Sequence, residues 1–240
     1  MLVSFIKGSP ALLMERPRAV VVSDLHIGRE FKLARSGMHF PGASKRMAEQ
    51  LLEICRKERS MSIIMLGDVK ESIGYPQREE FDAIASFFHA LRHMNISIVK
   101  GNHDAHLGEI LKRIGIGVTP VNELLLGRIA MIHGNGLPSE KAMSKDYILA
   151  GHSHIAVEVN GMAQKGWLVA KTGKGAAERY KKYNRRARLV VLPAFSSLIT
   201  GVRANSEEER SMPLLRNRIF DPESARIYDL NGNAVEPEGQ

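Results

Sequence analysis

Five short blocks of the sequence contain side chains that bind divalent cations, and each block follows an apolar run. Carboxylates, imidazoles and an amide oxygen together suit first-row cations such as Mn²⁺, Fe²⁺ or Zn²⁺ better than Ca²⁺ alone. In α/β sheets, ligands bind beyond the carboxyl ends of strands, so such blocks can converge on one site. The blocks are residues 23–26 (SDLH), 67–68 (GD), 101–104 (GNHD), 133–134 (HG) and 151–154 (GHSH).

The spacing inside these blocks favours shared ligation over chance. Asp24 and His26 lie two positions apart, so on an extended segment their side chains point the same way and can hold one ion. His152 and His154 repeat that spacing. A lone D-x-H or G-D often arises by chance, whereas GNHD followed downstream by GHSH, in order and each after an apolar run, rarely does. The set therefore predicts a single metal site.

The elements that must position these blocks alternate between strands and helices. Short β-branched runs predict strands at residues 18–23, 62–66, 96–100, 128–132 and 147–150. Apolar residues at helical spacing predict helices over 43–57 and 77–93, which makes the first hundred residues parallel βαβ units. Closely spaced runs in the second half predict strands that are largely antiparallel. We therefore predict an α/β fold of two mixed sheets packed face to face, with helices outside.

In this order the blocks resemble the signature of the calcineurin-like metallophosphoesterase superfamily, D-x-H, G-D, G-N-H-[DE], H and G-H-x-H. The resemblance spans about residues 18–155. Residues 189–201 (LVVLPAFSSLITG) are also similar to a small bacterial and archaeal subgroup that includes ligase-associated DNA-repair phosphoesterases. The resemblance implies the four-layer αββα sandwich of that superfamily and hydrolysis of phosphoester bonds.

The resemblance also implies a binuclear centre that takes two divalent ions, Mn²⁺ first and Fe, Zn, Ni or Mg as alternatives. His103 would remain free of metal as a catalytic residue, and Asp104 would be hydrogen-bonded to it. HGN stands at 133–135 where relatives often carry HGH or HGD, so only His133 is carried over from that block. The implied ligands are Asp24, His26 and His154 for the first ion, Asn102, His133 and His152 for the second, and Asp68 between both.

The bulk composition is typical of a soluble globular protein, with 240 residues, 44% hydrophobic and 25% charged. A single cysteine, Cys55, excludes an internal disulfide and favours a reducing compartment. No run has the length of a membrane span and the opening segment lacks the features of a signal peptide. We expect one cytoplasmic domain over 1–240 without membrane contact, and a frayed polar tail from about residue 231.

The net charge of +8 is concentrated in one basic segment, residues 165–188, which contains nine Lys and Arg against Glu178 alone. Such a concentration suggests a polyanionic partner, here DNA or RNA. Trp167, Tyr180 and Tyr183 lie among the cations, a mixture that can follow a phosphate backbone and stack bases. A solvated helix or hairpin is the alternative explanation. The cations predicted to contact nucleic acid are Lys181, Lys182, Arg185 and Arg186.

Three functions remain open from the sequence. The first is a phosphodiesterase or nuclease that acts on nucleic acid, which the localised charge favours. The second is a phosphatase or a phosphodiesterase of cyclic or small nucleotides, which needs the same ions but no basic segment. The third is a non-catalytic binding module of the same fold, against which His103 and the complete ligand set argue. The native metal, the oligomeric state and endo- or exonuclease action are left open.

Overall fold

The computed structural model describes residues 2–159, 162–199, 202–203 and 212–235. The first sheet has five strands in sequence order, of which β1, β2 and β3 are antiparallel and β3, β4 and β5 are parallel. The predicted strands 18–23, 62–66 and 96–100 are β3, β4 and β5. The strands are β1 (Val3–Phe5), β2 (Leu12–Glu15), β3 (Arg18–Val22), β4 (Ser62–Leu66) and β5 (Asn95–Val99).

Helices α1 to α4 connect the strands of this sheet. The predicted helix over 43–57 is α2, and the one predicted over 77–93 is α3, which ends three residues earlier. Both bury an apolar stripe against the outer face of the sheet, because their hydrophobic residues recur at helical spacing. The four helices are α1 (Arg29–Ala34), α2 (Ala43–Lys57), α3 (Arg78–Ala90) and α4 (Leu107–Arg113).

The second sheet has seven strands in the order β15-β14-β11-β12-β8-β7-β6. Three adjacent strands, β12, β8 and β7, are parallel, and the remaining pairs are antiparallel as predicted for this half. These strands are β6 (Leu124–Leu126), β7 (Ile129–Met131), β8 (Tyr147–Ala150), β11 (Trp167–Lys171), β12 (Arg188–Val191), β14 (Arg226–Tyr228) and β15 (Ala234–Val235).

A smaller sheet and short helices complete the second half. The three-stranded sheet has the order β10-β9-β13. Its strands are β9 (Ile155–Val159), β10 (Met162–Lys165) and β13 (Val202–Arg203). The helices are α5 (Glu140–Met143), α6 (Gly175–Arg179), α7 (Pro213–Arg216) and a 3₁₀ turn at Pro222–Ser224.

Three separate apolar layers hold the molecule together. One lies between the first sheet and α2 to α4, and another lies between the second sheet and its helices. The middle layer joins the inner faces of both sheets, where Met14, Val21 and Leu66 meet Leu149 and Trp167. Three layers between four tiers of elements give the predicted sandwich of two mixed sheets with helices outside.

Residues 231–235, the first part of the predicted polar tail, form a hydrogen-bonded turn and a short strand. Asp229 accepts hydrogen bonds from the backbone of Asn231 and Asn233, and β15 then pairs with β14. Residues 236–240 lie outside the described part of the chain. Within the described ranges, no helix has both the length and the apolar character needed to cross a bilayer.

Candidate metal centre

The first two ligand blocks lie side by side because β3 and β4 continue to pair beyond their ends. The backbone N–H of Asp24 donates to the carbonyl of Gly67 at 3.1 Å, and that of His26 donates to the carbonyl of Asp68 at 2.9 Å. Ile27 and Lys70 close this extension as an isolated parallel bridge. Parallel pairing therefore brings Asp24, His26 and Asp68 to one edge of the first sheet.

Four ligand atoms from Asp24, His26, Asp68 and His154 lie within 4.8 Å of one another. Nε2 of His154 is 3.2 Å from Oδ1 of Asp24 and 3.3 Å from Nε2 of His26. Nε2 of His26 is 3.7 Å from Oδ2 of Asp68. These are the residues that the sequence predicted for the first ion, together with the shared carboxylate.

A second group consists of Asp68, His133 and His152. Nε2 of His133 lies 3.3 Å from Oδ2 of Asp68 and 3.2 Å from Nδ1 of His152. Nδ1 of His133 is 2.8 Å from the carbonyl of Leu66, which leaves Nε2 to face the cluster. Asp68 belongs to both groups, as expected of a bridging ligand.

Asn102, the remaining predicted ligand, is exposed and belongs to neither group of clustered ligand atoms. The backbone N–H of the next residue, His103, donates to Oδ1 of Asp68 at 2.9 Å, so the segment is tied to the shared carboxylate. The structure thus brings six of the seven predicted ligands together, and the backbone next to Asn102 is bound to the carboxylate that the two groups share.

The donor set fits a pair of divalent cations. Two buried carboxylates face four imidazoles, and an amide stands beside them, a mixture that suits Mn²⁺, Fe²⁺ or Zn²⁺. Burial favours the neutral form of Asp24, but the hydrogen bond and charge of His154 and the charge of His133 hold its pKa below the usual value. The pKa of Asp68 is likewise lowered against burial by His133. Both carboxylates are therefore ionised and ready to bind cations.

The imidazoles of the second group have opposite shifts. Burial would lower the pKa of His133, but its hydrogen bond to Asp68 and the charge of Asp24 raise it to about 9. Burial and the neighbouring His133 lower the pKa of His152. One ring is charged and the other neutral in the protein without ions, so the pair can donate and accept across the 3.2 Å contact.

The backbone at the ligands is in the left-handed region, where residues other than glycine are uncommon. Such conformations cost on the order of 1 kcal/mol each and cluster at functional sites. Five of the eight non-glycine residues with positive φ in the described ranges are predicted ligands. They are Asp24 (54°), His26 (47°), Asp68 (48°), His152 (72°) and His154 (44°).

Two glycines in the ligand blocks are required by close approach. A Cβ at Gly101 would collide with the backbone and carboxylate of Asp68, and a Cβ at Gly151 would collide with the side chains of Ser23 and Asp24. The glycines therefore let neighbouring strand ends come near enough for their ligands to meet.

The predicted hydrogen bond between Asp104 and His103 is wrong. The buried carboxylate of Asp104 accepts backbone N–H groups from Val69 at 2.9 Å and Gly101 at 2.8 Å, because it closes the loop between two ligand blocks. Burial raises the pKa of Asp104, and these donors oppose that shift. His103 instead places Nδ1 against the carbonyl of Glu71. Asp104 therefore organises the backbone and makes no hydrogen bond to the His103 ring.

Glu71 is a functional residue that the sequence interpretation missed. Its buried carboxylate accepts from Nδ1 of His26 at 2.9 Å, from Arg29 at 3.1 Å and from Lys32 at 2.8 Å. Against burial, His26 and Lys32 lower the pKa of Glu71 to about 2. A carboxylate on the outer nitrogen of a ligand histidine fixes its tautomer and orientation. A carboxylate three positions after Asp68 was the available signal.

Lys165 was counted with the basic segment, but it supports the metal cluster. Its Nζ donates to the carbonyls of Ala194 and Ser196, both at 2.6 Å, and burial lowers its pKa to about 8. The backbone N–H of Phe195 donates to the carbonyl of Ser23 at 2.8 Å, and that of Ser196 donates to the carbonyl of Asp24 at 3.3 Å. Lys165 thus fixes a loop that holds the backbone of a ligand block.

The aromatic side chains of the basic segment do not face solvent as the base-stacking interpretation requires. Trp167 is fully buried between the sheets and stacks on Phe5 at 4.4 Å, and buried Tyr180 donates its hydroxyl to the carbonyl of Pro138. Tyr183 is half-buried. The prediction that Trp167 and Tyr180 stack bases is therefore wrong, because apolar burial governs both side chains.

The four predicted nucleic-acid contacts are exposed but lie at the other end of the second sheet. These four residues precede the first residue of β12. The side-chain amide of Asn184, which lies among them in the sequence, donates at 2.8 Å to the carboxylate of Asp146, the residue just before β8. His133 and His152 follow the opposite ends of the parallel strands β7 and β8. A strand of four residues spans about 13 Å, which separates the two surfaces. The four are Lys181, Lys182, Arg185 and Arg186.

The chain is similar to known proteins both in sequence profile and in fold. The profile of the calcineurin-like phosphoesterase superfamily domain matches residues 18–190. The Pseudomonas putida nuclease MPE superposes with a TM-score of 0.62 at 17% identity, over 95% of this chain and 97% of that one. The Escherichia coli phosphoesterase Yfce superposes with a TM-score of 0.42 at 15% identity, over 91% of this chain and 96% of that one. No curated protein sequence matches the chain.

Proposed function

The chain belongs to the calcineurin-like phosphoesterase superfamily, and on that premise we propose that it is a binuclear phosphodiesterase that acts on nucleic acid. The observation that supports the proposal most is the pair of ligand groups that share Asp68, with His103 directly beside them. A phosphoester hydrolase is the class that the family indicates. The diester specificity and the nucleic-acid substrate are our proposal.

Each part of the site has a distinct role in this proposal. Asp24, His26 and His154 would hold one divalent ion, His133 and His152 with Asn102 the other, and Asp68 both. When bound, two such ions activate a water and neutralise phosphoryl oxygens. The chain's own contribution is to fix these ligands through parallel strand pairing, Glu71 and Lys165.

His103 is the proposed catalytic residue. Its Nδ1 lies against the carbonyl of Glu71, so Nδ1 carries the proton of that hydrogen bond and Nε2 is directed elsewhere. The ring packs edge-on against His26, with centroids 4.9 Å apart. From there His103 would stabilise charge on the phosphoryl group or protonate the leaving oxygen. Its presence argues against a non-catalytic binding module.

The charge of the basic segment supports a nucleic-acid substrate, whereas the position of that segment, away from the metal cluster, supports a smaller substrate. The net charge of +8 and the exposed Lys181, Lys182, Arg185 and Arg186 favour a polyanion, and a long strand can reach both ends of the second sheet. The separation of those cations from the metal cluster favours the second candidate, a phosphatase or small-nucleotide phosphodiesterase. We propose that the basic segment is an outlying contact and not part of the cleft.

Mn²⁺ is the proposed metal, because the mixture of carboxylates and imidazoles suits ions of intermediate hardness. Fe, Zn, Ni and Mg are the alternatives.

The single cysteine, buried Cys55, has a pKa raised to about 12 by burial and is unreactive. It fits the reducing cytoplasm that we propose as the compartment.

A matrix of metals and substrates tests the proposal. Purified protein would be loaded with each ion and offered an aryl monoester, an aryl diester, a cyclic nucleotide, and single- and double-stranded DNA and RNA. We expect Mn²⁺-dependent cleavage of diesters and nucleic acid that His103→Ala reduces by about 10²–10⁴. Cleavage of the monoester alone would support the phosphatase. No cleavage, or equal rates in His103→Ala, would contradict a phosphoesterase centred on His103.

A further inference from the structure

A cavity of about 360 Å³ opens beside His103 and belongs to neither ligand group. It lies between α1 with its following turn, which contribute Phe31 and Arg35, and the loop before α3, which contributes Ile73 and Gln77. Its volume falls within the range of about 300–1,000 Å³ that is typical of sites for small organic groups. A group attached to a phosphate at the metal cluster would extend into this space past His103.

Two buried side chains fix the loop before α3, which forms one wall of the cavity (the loop wall). Lys70 is fully buried, and its Nζ donates to the carbonyls of Ser72, Ile73 and Gly74, at 2.8 Å for the last. The buried carboxylate of Glu80 accepts from the backbone N–H of Ser72 at 2.8 Å and from its hydroxyl. The shape of this wall therefore exists before any substrate binds, which lowers the entropic cost of binding.

The charges of the lining favour a neutral occupant. Two cations, Lys32 and Arg35, face three carboxylates, Glu71, Glu79 and Glu80. Lys32 is already paired with Glu71 at 2.8 Å, and Arg35 donates to Gln77. Arg29 also donates to Glu71, so a second phosphate in this space would find each nearby cation already engaged. The substrate phosphate belongs at the metal cluster, and its neutral substituent fits the cavity.

The apolar side chains of the cavity lining point to a flat, partly apolar substituent. Ile73 is 62% exposed on the loop wall, and Phe31 lines the cavity from α1. Together they offer an apolar surface at the opening. Exposed apolar surface in a cavity marks a binding site, and aromatic rings stack on nucleobases.

We propose that this cavity is a nucleoside subsite, which binds the nucleoside ester-linked to the scissile phosphate on the His103 side. Phe31 and Ile73 cover the base, and the amide of Gln77 faces its polar edge. The inference rests on the proposed phosphodiesterase function and specifies how that function selects nucleic acid. The subsite makes Phe31 and Ile73 determinants of substrate specificity, separate from the metal ligands.

Two diester substrates distinguish binding in the proposed subsite from hydrolysis at the metal cluster. Thymidylyl-(3′→5′)-thymidine carries nucleosides on both sides of its phosphate, whereas methyl p-nitrophenyl phosphate carries none. For Phe31→Leu and Ile73→Ala we expect the ratio of the two KM values, dinucleotide over small diester, to rise about tenfold through weaker stacking. Phe40→Leu is the matched control, because exposed Phe40 does not line the cavity. Unchanged ratios in both variants would overturn the proposal.

A binding measurement keeps the test independent of turnover. Saturation-transfer NMR with thymidine, on protein without added metal, should give a signal that Ile73→Ala weakens and Phe40→Leu does not. Ile73 is exposed, so its truncation leaves the fold intact, which thermal melting would verify. An absent thymidine signal, or equal signals in all three proteins, would overturn the subsite. Failure of the parent protein to hydrolyse any diester would instead overturn the proposed function, whatever the NMR result.

Discussion

The two ends of the second sheet differ in how well the structure agrees with the sequence-based predictions. At the carboxyl ends of β7 and β8, His133 lies within hydrogen-bonding distance of both Asp68 and His152. At the opposite end, the basic segment exposes Lys181 and Arg185 but buries Trp167 and Tyr180. Ligand spacing is constrained by the geometry of one pair of metal ions, whereas a run of charge constrains only solvation. The spacing of metal ligands is therefore a stronger predictor of a functional site than a run of charged residues.

The largest expected effect is at the ligand end, where Asp68 serves both groups. Asp68→Asn removes the carboxylate common to them, so we expect loss of both ions and of detectable hydrolysis. Elemental analysis of the purified protein and a diester assay measure the two losses. Asp82→Asn, on the exposed face of α3, is the control and should retain both ions. Full metal content in Asp68→Asn would contradict a shared ligand.

A substitution at Glu71 tests whether a residue that only orients a metal ligand affects metal affinity. Its carboxylate holds Nδ1 of His26, so Glu71→Gln should weaken metal affinity by about 10–100-fold. Calorimetric titration with Mn²⁺ gives the affinity, and saturating Mn²⁺ should restore most of the activity. Glu79→Gln is the matched control, an exposed carboxylate near the same cavity. Equal affinities in the two variants would show that Glu71 does not orient His26.

Proton release should accompany metal binding at the ligand end. The pKa of His133 is raised to about 9, so at pH of about 7.5 its ring is protonated and must lose a proton before Nε2 can bind an ion. Titrations in buffers of different ionisation enthalpy should show release that disappears above about pH 9. A binding enthalpy independent of the buffer would contradict a charged His133.

The same shift makes the metal-free protein sensitive to pH. Because the folded pKa of His133 lies above its unfolded value, the ring stabilises the fold fully below about pH 6.5, and this contribution is lost as pH rises through about 9. The melting temperature with a chelator should therefore fall across that window. With saturating Mn²⁺ it should fall less, because ligation replaces the protonated contact.

The smallest effect is expected at the basic end. Replacing Lys181, Lys182, Arg185 and Arg186 by Ala should lower the slope of log affinity for DNA against log salt, by about 0.7–0.9 for each phosphate that is no longer neutralised. Metal content should stay unchanged, because these residues lie beyond the opposite strand ends. Filter binding over a salt series measures the slope. An unchanged slope would leave the basic segment as a solvated surface.

Much of the fold was predictable because local patterns agree with it. The apolar stripe of α2 begins and ends where the spacing predicts, and the β-branched runs form β3, β4 and β5. The parallel placement of β12 beside β8 was not predictable, since partner choice depends on which apolar faces meet across the two sheets. Propensity identifies a strand, whereas packing selects its neighbour.

The clustering of the predicted ligand residues could be foreseen from the sequence, whereas the residues that support them could not. The ligands lie at fixed spacing after strands, but Glu71 and Lys165 act through single hydrogen bonds that leave no pattern in the sequence. Asp104 was assigned to the wrong partner because three backbone N–H groups donate to its carboxylate, and the His103 ring bonds to the carbonyl of Glu71 instead. Backbone donors are invisible in a sequence, so their competition for a carboxylate appears only in the folded chain.

Anomalous scattering from a Mn²⁺-soaked crystal tests the central claim most directly, since it locates ions without reference to activity. We predict two peaks per chain, one among Asp24, His26 and His154 and one between His133 and His152, with Asp68 in contact with both. A single peak, or two peaks that do not share Asp68, would contradict the binuclear centre.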